Sequence, residues 1–355
     1  MKRHGNLFNQ IVIYANLQLA CKNAQKGKHY TAIRKINDHL DKYLTQLQES
    51  LINKTFTTSA YDIFRIHEPK EREIFRLPYY PDRIVQHAIL NILGPIWDKI
   101  FIYDVYSSVP NKGIHSAIKR LKYFLKDKIN TQYCLQYDIS KFYPSVNHII
   151  LQERVRQKIK CKDTLWLLDN IINSPSGNKG IPIGNYTSQY FANVYLDGLD
   201  HYIKQDLKCK YYIRYADDGI ILNNNKDKLH NIQDKLSRYL QDKLLLEFNP
   251  KTQIYPIDNH GIDFLGYRTF RDYVLLRKRS VKKFKSKIKE IKNNHVEAQH
   301  IISSVMSYLG WIQHCNGYNL IKKYILEDKE LLSIMDKASK QLGFDNPIRS
   351  KYGTV

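Results

Sequence analysis

The chain has 355 residues, and its 56 Lys and Arg against 34 Asp and Glu give a formal charge of +22. Its 43% apolar content excludes wholesale disorder. Cys21, Cys134, Cys161, Cys209 and Cys315 are odd in number, scattered and without a C-x-x-C pair, which excludes a disulfide scaffold and gives no zinc site. At about 150 residues per domain, two or three lobes are expected. No run approaches about 18 consecutive apolar residues, and Met1–Asn6 precedes no apolar leader core, so a soluble intracellular chain with reduced thiols is expected. The charge predicts a polyanionic partner, nucleic acid first, with an ordinary basic surface as the alternative.

The first sixty residues read as helical: Ile33, Ile36, Leu40, Tyr43, Leu44, Leu47 and Leu51 recur on one helical face. Tyr61–Ile66 and Glu73–Leu77 are β-rich runs around a polar connection and predict a hairpin. Asp82 is placed to cap a helix carrying Ile84, Val85, Ala88, Ile89, Ile92 and Leu93. A second helix follows Gly113, and a short strand runs from Tyr133 to Ile139. Residues 149–172 read as helix, Asn173–Gly180 as loop, and Thr187 to about Leu207 as a long helix. A hairpin follows, Tyr211–Tyr215 and Ile220–Leu222 about the turn Ala216–Gly219. After a helix at 226–244 come short strands near 254–257 and 263–267, then a helical, basic last 80 residues with a break near 270.

The sharpest local feature is Tyr215-Ala216-Asp217-Asp218-Gly219. Taken alone it is a good hairpin turn and needs no other purpose. Adjacent carboxylates repel, however, and a tight turn can aim one into a site and leave the other as support. Asp138 closes an apolar strand, where a buried carboxylate needs a compensating charge that a divalent metal supplies. Carboxylates from two neighbouring strands can hold a pair of Mg²⁺ ions, one lowering the pKa of a primer 3′-hydroxyl and the other steadying pyrophosphate. With the basic charge, nucleotidyl transfer is the favoured chemistry.

The segments Asp138–Tyr143 and Tyr215–Asp218 resemble the two metal-binding motifs of reverse transcriptases. Gly180–Gln189 resembles the motif between them, Phe264–Tyr267 the primer grip, and Asn249–Thr252 the segment bearing the motif D lysine. Lys70–Ile74 and Asp82–Gln86 are similar to the fingers motifs, so the resemblance runs in family order from about 60 to about 320. Ile183-Gly184-x-x-x-Ser188-Gln189 stands where most members carry Q-G-x-x-x-S-P and is similar to the reverse transcriptases of diversity-generating retroelements. Other prokaryotic reverse transcriptases, group II-like or defence-associated, are the alternative, and a non-catalytic nucleic-acid-binding protein is a third reading.

The resemblance implies an α/β (α+β) right-hand polymerase fold, with an N-terminal helical region 1–60, fingers and palm 61–270 and a basic helical thumb 271–355. The palm core is expected at 133–149 and 180–270, as a small antiparallel sheet flanked by helices. It implies that Asp138 and Asp217 hold two Mg²⁺ ions with the Ile139 carbonyl, and that Asp218 supports them. Lys70 and Arg72 would contact the incoming dNTP, Tyr143 would gate against a 2′-hydroxyl, and Ile183, Gly184 and Gln189 would meet the nascent pair. Lys251 would protonate pyrophosphate, and Phe264, Leu265 and Gly266 would grip the primer. Each has a plain alternative: Lys70 and Arg72 as solvated hairpin charges, Tyr143 as palm packing, Lys251 as a surface lysine. The implied partners are template RNA, an RNA/cDNA duplex and a small basic pentameric accessory protein, in a prokaryotic or phage-encoded cytoplasmic system without membrane contact. Low fidelity at template adenines accompanies the Ile183 motif in that group.

The C-terminal region carries its own physical signal. Nine basic residues fall between Arg277 and Lys292, among them Arg277, Lys278, Arg279, Lys282 and Lys283, against the single acid Glu290. Val281, Phe284, Ile288 and Ile291 make an apolar seam between those charges, which predicts a docked helix offering its flanks to phosphates. Downstream, Trp311 and His314 are candidates to stack on primer or to pack the thumb core.

Overall fold

The computed structural model describes residues 3–28, 30–67, 71–294 and 296–353. In chain order it begins with helices α1 (Phe8–Val12), α2 (Tyr14–Ala24), α3 (Thr31–Asp38) and α4 (Leu40–Ile52). Strands β1 (Asp62–Ile66) and β2 (Arg72–Arg76) precede α5 (Ile84–Asp98), α6 (Ile114–Leu125) and β3 (Tyr133–Asp138). Then come α7 (Phe142–Ser145), α8 (His148–Arg156), α9 (Lys162–Ile172), α10 (Tyr186–His201), β4 (Tyr211–Tyr215), β5 (Asp218–Asn223) and α11 (Lys226–Leu244). The remainder is β6 (Gln253–Pro256), α12 (Ile257–His260), β7 (Ile262–Phe264), β8 (Tyr267–Thr269), β9 (Val274–Leu276), α13 (Lys278–Asn293), α14 (Ala298–Ile312), α15 (Tyr318–Ile321), α16 (Lys329–Gln341) and α17 (Pro347–Tyr352). Two compact units result: Met1–Asn111, Leu135–Ile221 and Lys226–Ile254 form one, and Lys112–Cys134, Leu222–Asn225 and Tyr255–Val355 the other. Among the described residues no helix is long and apolar enough to cross a membrane.

The first unit is organised by two helices. Helix α5 buries Ile84, Val85, Ala88, Ile89, Leu93 and Trp97, and packs against α2 and α10. Helix α10 is buried on nearly every side, and its Tyr190 and Phe191 close on Trp97 with ring centroids 5.9 and 6.3 Å away. A four-stranded sheet in the order β4-β5-β3-β6 carries the two carboxylate motifs on neighbouring strands. Strands β1 and β2 form an antiparallel ribbon with Ile63 opposite Phe75 and Arg65 opposite Glu73, as the alternation predicts.

Several local expectations change. Asp82 does not cap α5; it is 1% exposed, lies in the kinked segment that precedes that helix and accepts from the Ser59 backbone N–H at 3.0 Å. The segment 149–172 is two helices, because residues 158–160 leave the helix to pair with His4: His4 N donates to Lys158 O at 2.7 Å, and Lys160 N to His4 O at 2.8 Å. The periodic run 33–51 breaks at His39, whose backbone departs from helical angles (φ −134°, ψ 39°). The β4–β5 turn is only Ala216-Asp217, since Asp218 already belongs to β5.

The second unit holds an antiparallel three-stranded sheet, β7-β8-β9, with α6 against β8 and the helices α13, α14 and α16 packed together. Residues 263–267 read as one strand in sequence, yet the chain reverses at Leu265-Gly266, both at positive φ (51° and 87°). Two left-handed residues in a row make the tight hairpin turn that matches strand twist. A Cβ on Gly266 would stand 2.7 Å from the Trp311 ring, so glycine is required there twice over.

Candidate active site

Asp138 ends β3 and is held from a distant segment. Its backbone carbonyl accepts from Asn249 N at 2.7 Å, and its Oδ2 accepts from Asn249 Nδ2 at 3.1 Å. Ile139 pairs with Phe248, and Ser140 N donates to Glu247 O at 2.8 Å, so the strip 247–249 fixes the whole turn after the strand. Asn249 Oδ1 also accepts from Lys251 N at 3.0 Å, which ties the exposed Lys251 segment to the same carboxylate. In the sequence resemblance Asn249 figures only as the start of the segment that bears Lys251.

The second carboxylate pair sits on the neighbouring strand. Gly219 has no room for a side chain: a Cβ there would lie 2.1 Å from Cζ of the buried Tyr137. Tyr137 of β3 and Gly219 of β5, each next in sequence to a carboxylate (Asp138 and Asp218), are therefore close neighbours on adjacent strands. Ala216 has φ +54°, a left-handed conformation that costs a non-glycine residue energy and must be imposed by its surroundings.

Arg214 imposes it. The guanidinium is completely buried and forms a bidentate pair with the equally buried Asp200, Nε to Oδ1 at 2.7 Å and Nη2 to Oδ2 at 2.6 Å. Its Nη1 donates to the Asn193 side-chain oxygen at 3.1 Å and to the Ala216 carbonyl at 2.9 Å. Tyr212 donates its hydroxyl to Asp200 at 2.7 Å, and the Tyr137 and Tyr212 hydroxyls are 2.9 Å apart. Helix α10 therefore holds the turn that bears Asp217, through an ion pair no local motif reveals. Four residues of that network (Tyr137, Asn193, Asp200 and Tyr212) lie outside the predicted site, and so does Arg214; the only signal in sequence is charge inside two apolar runs.

Tyr143 lies in α7, half-buried. Burial first and the Asp217 charge second push its hydroxyl up to about 12, so it stays a neutral donor beside that carboxylate. Arg72, at the exposed start of β2, contributes its charge to the same Tyr143. Lys70 lies outside the described residues. The Ile183 carbonyl accepts from Phe75 N of β2 at 2.9 Å, and Gly184 (φ +111°) would place a Cβ 3.2 Å from Ile74. Tyr186 N donates to the side-chain oxygen of Gln86, 2% exposed on α5, at 2.9 Å, while Gln189 is exposed on α10. Two hydrogen bonds from or to the backbone thus pin the 183–186 loop, and Gln86 enters the sequence resemblance only as the end of a fingers motif.

In the second unit, Phe264 ends β7 and Leu265 and Gly266 form the β7–β8 turn, while Tyr267 stacks on Trp311 with centroids 5.5 Å apart and donates to the Trp311 carbonyl at 2.9 Å. Trp311 is thus packing for that turn. His314 stacks on His115 at 3.6 Å, and burial with the His314 charge lowers the His115 pKa. Helix α13 buries Phe284, Ile288 and Ile291 as its seam predicts. Arg277 pairs with Asp263 at 2.5 Å, and Lys292 with Asp328 and Glu330 at 2.9 and 2.8 Å. Lys278, Arg279 and Lys282 have no acidic partner among the described residues, and Lys283 is half-buried.

The donor set of the first unit fits a divalent cation. Asp138 and Asp217 carry hard carboxylate oxygens of the kind such a cation takes, and among the described residues no group of three His, Cys, Asp or Glu is placed to hold a metal ion.

A small sheet walled by helices, with a carboxylate-bearing hairpin beside a carboxylate-ended strand, defines the class: a polymerase of right-hand fold. The family described as reverse transcriptase (RNA-dependent DNA polymerase) matches residues 68–269. The chain belongs to that family and is an RNA-directed DNA polymerase. It is similar to Protein YkfC of Escherichia coli (strain K12), 25% identical over 305 residues covering 72% of this chain and 78% of that one. It is also similar to the group II intron-encoded protein LtrA of Lactococcus lactis subsp. cremoris, 23% identical over 295 residues, covering 79% of this chain and 45% of LtrA. The chain thus spans less than half the length of that intron-encoded relative. Among solved structures, telomerase from Candida albicans bound to a fragment of telomeric RNA aligns with a TM-score of 0.49 at 12% identity, over 88% of this chain and 61% of that one.

Proposed function

We propose that this reverse transcriptase makes cDNA by two-Mg²⁺ nucleotidyl transfer within a diversity-generating retroelement, in the cytoplasm of a prokaryotic host, with a template RNA and a small basic pentameric accessory protein. The supporting observation is the pinned pair of motifs: Asp138 fixed by Asn249 and the Asp217 turn fixed by Arg214. Preorganised carboxylates give up little ordering energy when charge develops in the transition state. Bound there, two Mg²⁺ ions would activate the primer 3′-hydroxyl and neutralise the departing pyrophosphate. Asp138 and Asp217 hold them with the Ile139 carbonyl, and Asp218 supports. Arg72 and Lys70 orient the triphosphate, and Lys251 gives its proton to pyrophosphate. Tyr143 crowds a ribose 2′-hydroxyl and selects dNTPs. Leu265 and Gly266, with Phe264 behind them, support the primer, and Lys278, Arg279, Lys282 and Lys283 of α13, with Arg277 before it, track phosphates.

The retroelement assignment rests on Ile183 and Gln189. An aliphatic Ile183 beside Gly184 can pack against the nascent pair but cannot hydrogen-bond it, so copying is expected to be error-prone at template adenines. Sequencing cDNA made on a mixed-base template tests this, and uniformly low error at all four bases refutes it. Asp217→Asn is expected to abolish Mg²⁺-dependent dNTP incorporation and leave RNA binding largely intact; surviving polymerisation refutes the metal assignment. The similarity to LtrA favours a group II-like reverse transcriptase as the second reading, and a template/variable repeat pair beside the gene decides between the two.

A further inference from the structure

A cavity of about 680 Å³ opens beside the strand that ends in Asp138, lined by Ser140, Lys141, Ser145, Asn147, Lys179 and Gln241. Of these, only Ser140 enters the site described above, and only through its backbone N–H. One wall is the strip that fixes Asp138: Glu247, whose carbonyl accepts from Ser140 N, lines it together with Leu245 and Leu246. Lys141 stands at φ +43° and ψ +44°, a left-handed kink that carries the chain from β3 into α7 and leaves its ammonium in solvent. Neither Lys141 nor Lys179 has an acidic partner within ion-pair distance among the described residues, and Glu247 is the single carboxylate in the lining. Two ammonium groups, two hydroxyls and two carboxamides make a donor-rich wall. No aromatic ring lines it, so it offers no platform on which a base could stack. Phosphate oxygens are the acceptors that match such a set.

We propose that this cavity binds a polyphosphate anion, pyrophosphate or the tail of a nucleoside triphosphate, through Lys141 and Lys179. The proposal rests on the polymerase reading for its source of ligand, since nucleotidyl transfer both consumes a triphosphate and releases pyrophosphate. Its place beside Asp138 gives the reaction an anion-holding surface separate from the carboxylates.

Calorimetric titration of the full chain with sodium tripolyphosphate in EDTA tests binding without metal or nucleic acid. Lys141→Gln with Lys179→Gln is expected to weaken binding about tenfold, and Glu247→Gln to tighten it about threefold by removing the one repelling charge. Unchanged tripolyphosphate affinity in the double variant overturns the proposal, as does a loss confined to RNA affinity. Primer extension by the same variant then identifies the source. Weaker inhibition by added pyrophosphate at unchanged dNTP KM assigns the leaving group, and a raised dNTP KM assigns the incoming tail. A wild-type chain that extends no primer but binds tripolyphosphate through these lysines refutes the polymerase reading and leaves the cavity standing.

Discussion

Arg214 is the residue whose loss tests most of the site at once. Removing one partner of a fully buried ion pair costs about 3–5 kcal/mol, because the remaining charge stays out of water. Arg214→Met would leave Asp200 with the Tyr212 hydroxyl and would strip the donor from the Ala216 carbonyl. Arg214→Lys is the finer probe. It keeps the charge, but one ammonium cannot span Asp200, Asn193 and Ala216, which the planar fork reaches together. Losing one or two charged hydrogen bonds costs about 2–4 kcal/mol. At about 2–4 °C per kcal/mol, the midpoint of thermal unfolding should fall by roughly 4–16 °C. If Arg214 also positions Asp217, single-nucleotide incorporation by the lysine variant, assayed well below its melting point, needs several-fold more Mg²⁺. A lysine variant with the wild-type melting point and the wild-type Mg²⁺ dependence would refute the positioning argument.

Asp197 supplies a pH test. Burial first, then the Asp200 charge, push its carboxyl up to about 6, while His201, Arg214 and Lys158 pull the other way. Between about pH 4 and 6 the folded chain holds a proton that the unfolded chain has lost, so stability falls as pH rises through that window and stays lower above it. Asp197→Asn should therefore gain about 1–3 kcal/mol at pH 8 and little near pH 4.5, read as melting shifts at the two values; equal shifts would contradict the burial account. Gly219→Ala should melt several degrees lower, since over-packing costs about 1–3 kcal/mol and its Cβ meets Tyr137 at 2.1 Å. A wild-type melting curve for that variant would show that the β3–β5 approach is looser than described.

Much of this protein is written locally. The helical faces of α5 and α13, the β1–β2 ribbon and the two carboxylate motifs follow from periodicity and residue type, because each depends on neighbours within a few positions. The breaks were less legible: residues 158–160 abandon a helical pattern to pair with His4, and Asp82 turns from a cap position to Ser59. In both, a distant backbone group competes with the local one and wins.

By itself the sequence determined the family, through motifs in a fixed order, and a charge of +22 suited to phosphates. Only the tertiary structure decided how the acids are held. Asn249 reaches Asp138 across 111 positions, Arg214 buries its charge on Asp200 of another element, and Tyr137 occupies the space that Gly219 leaves. Those pairings have no spacing to read, since they exist only once burial has removed water and left each polar group only protein partners within reach.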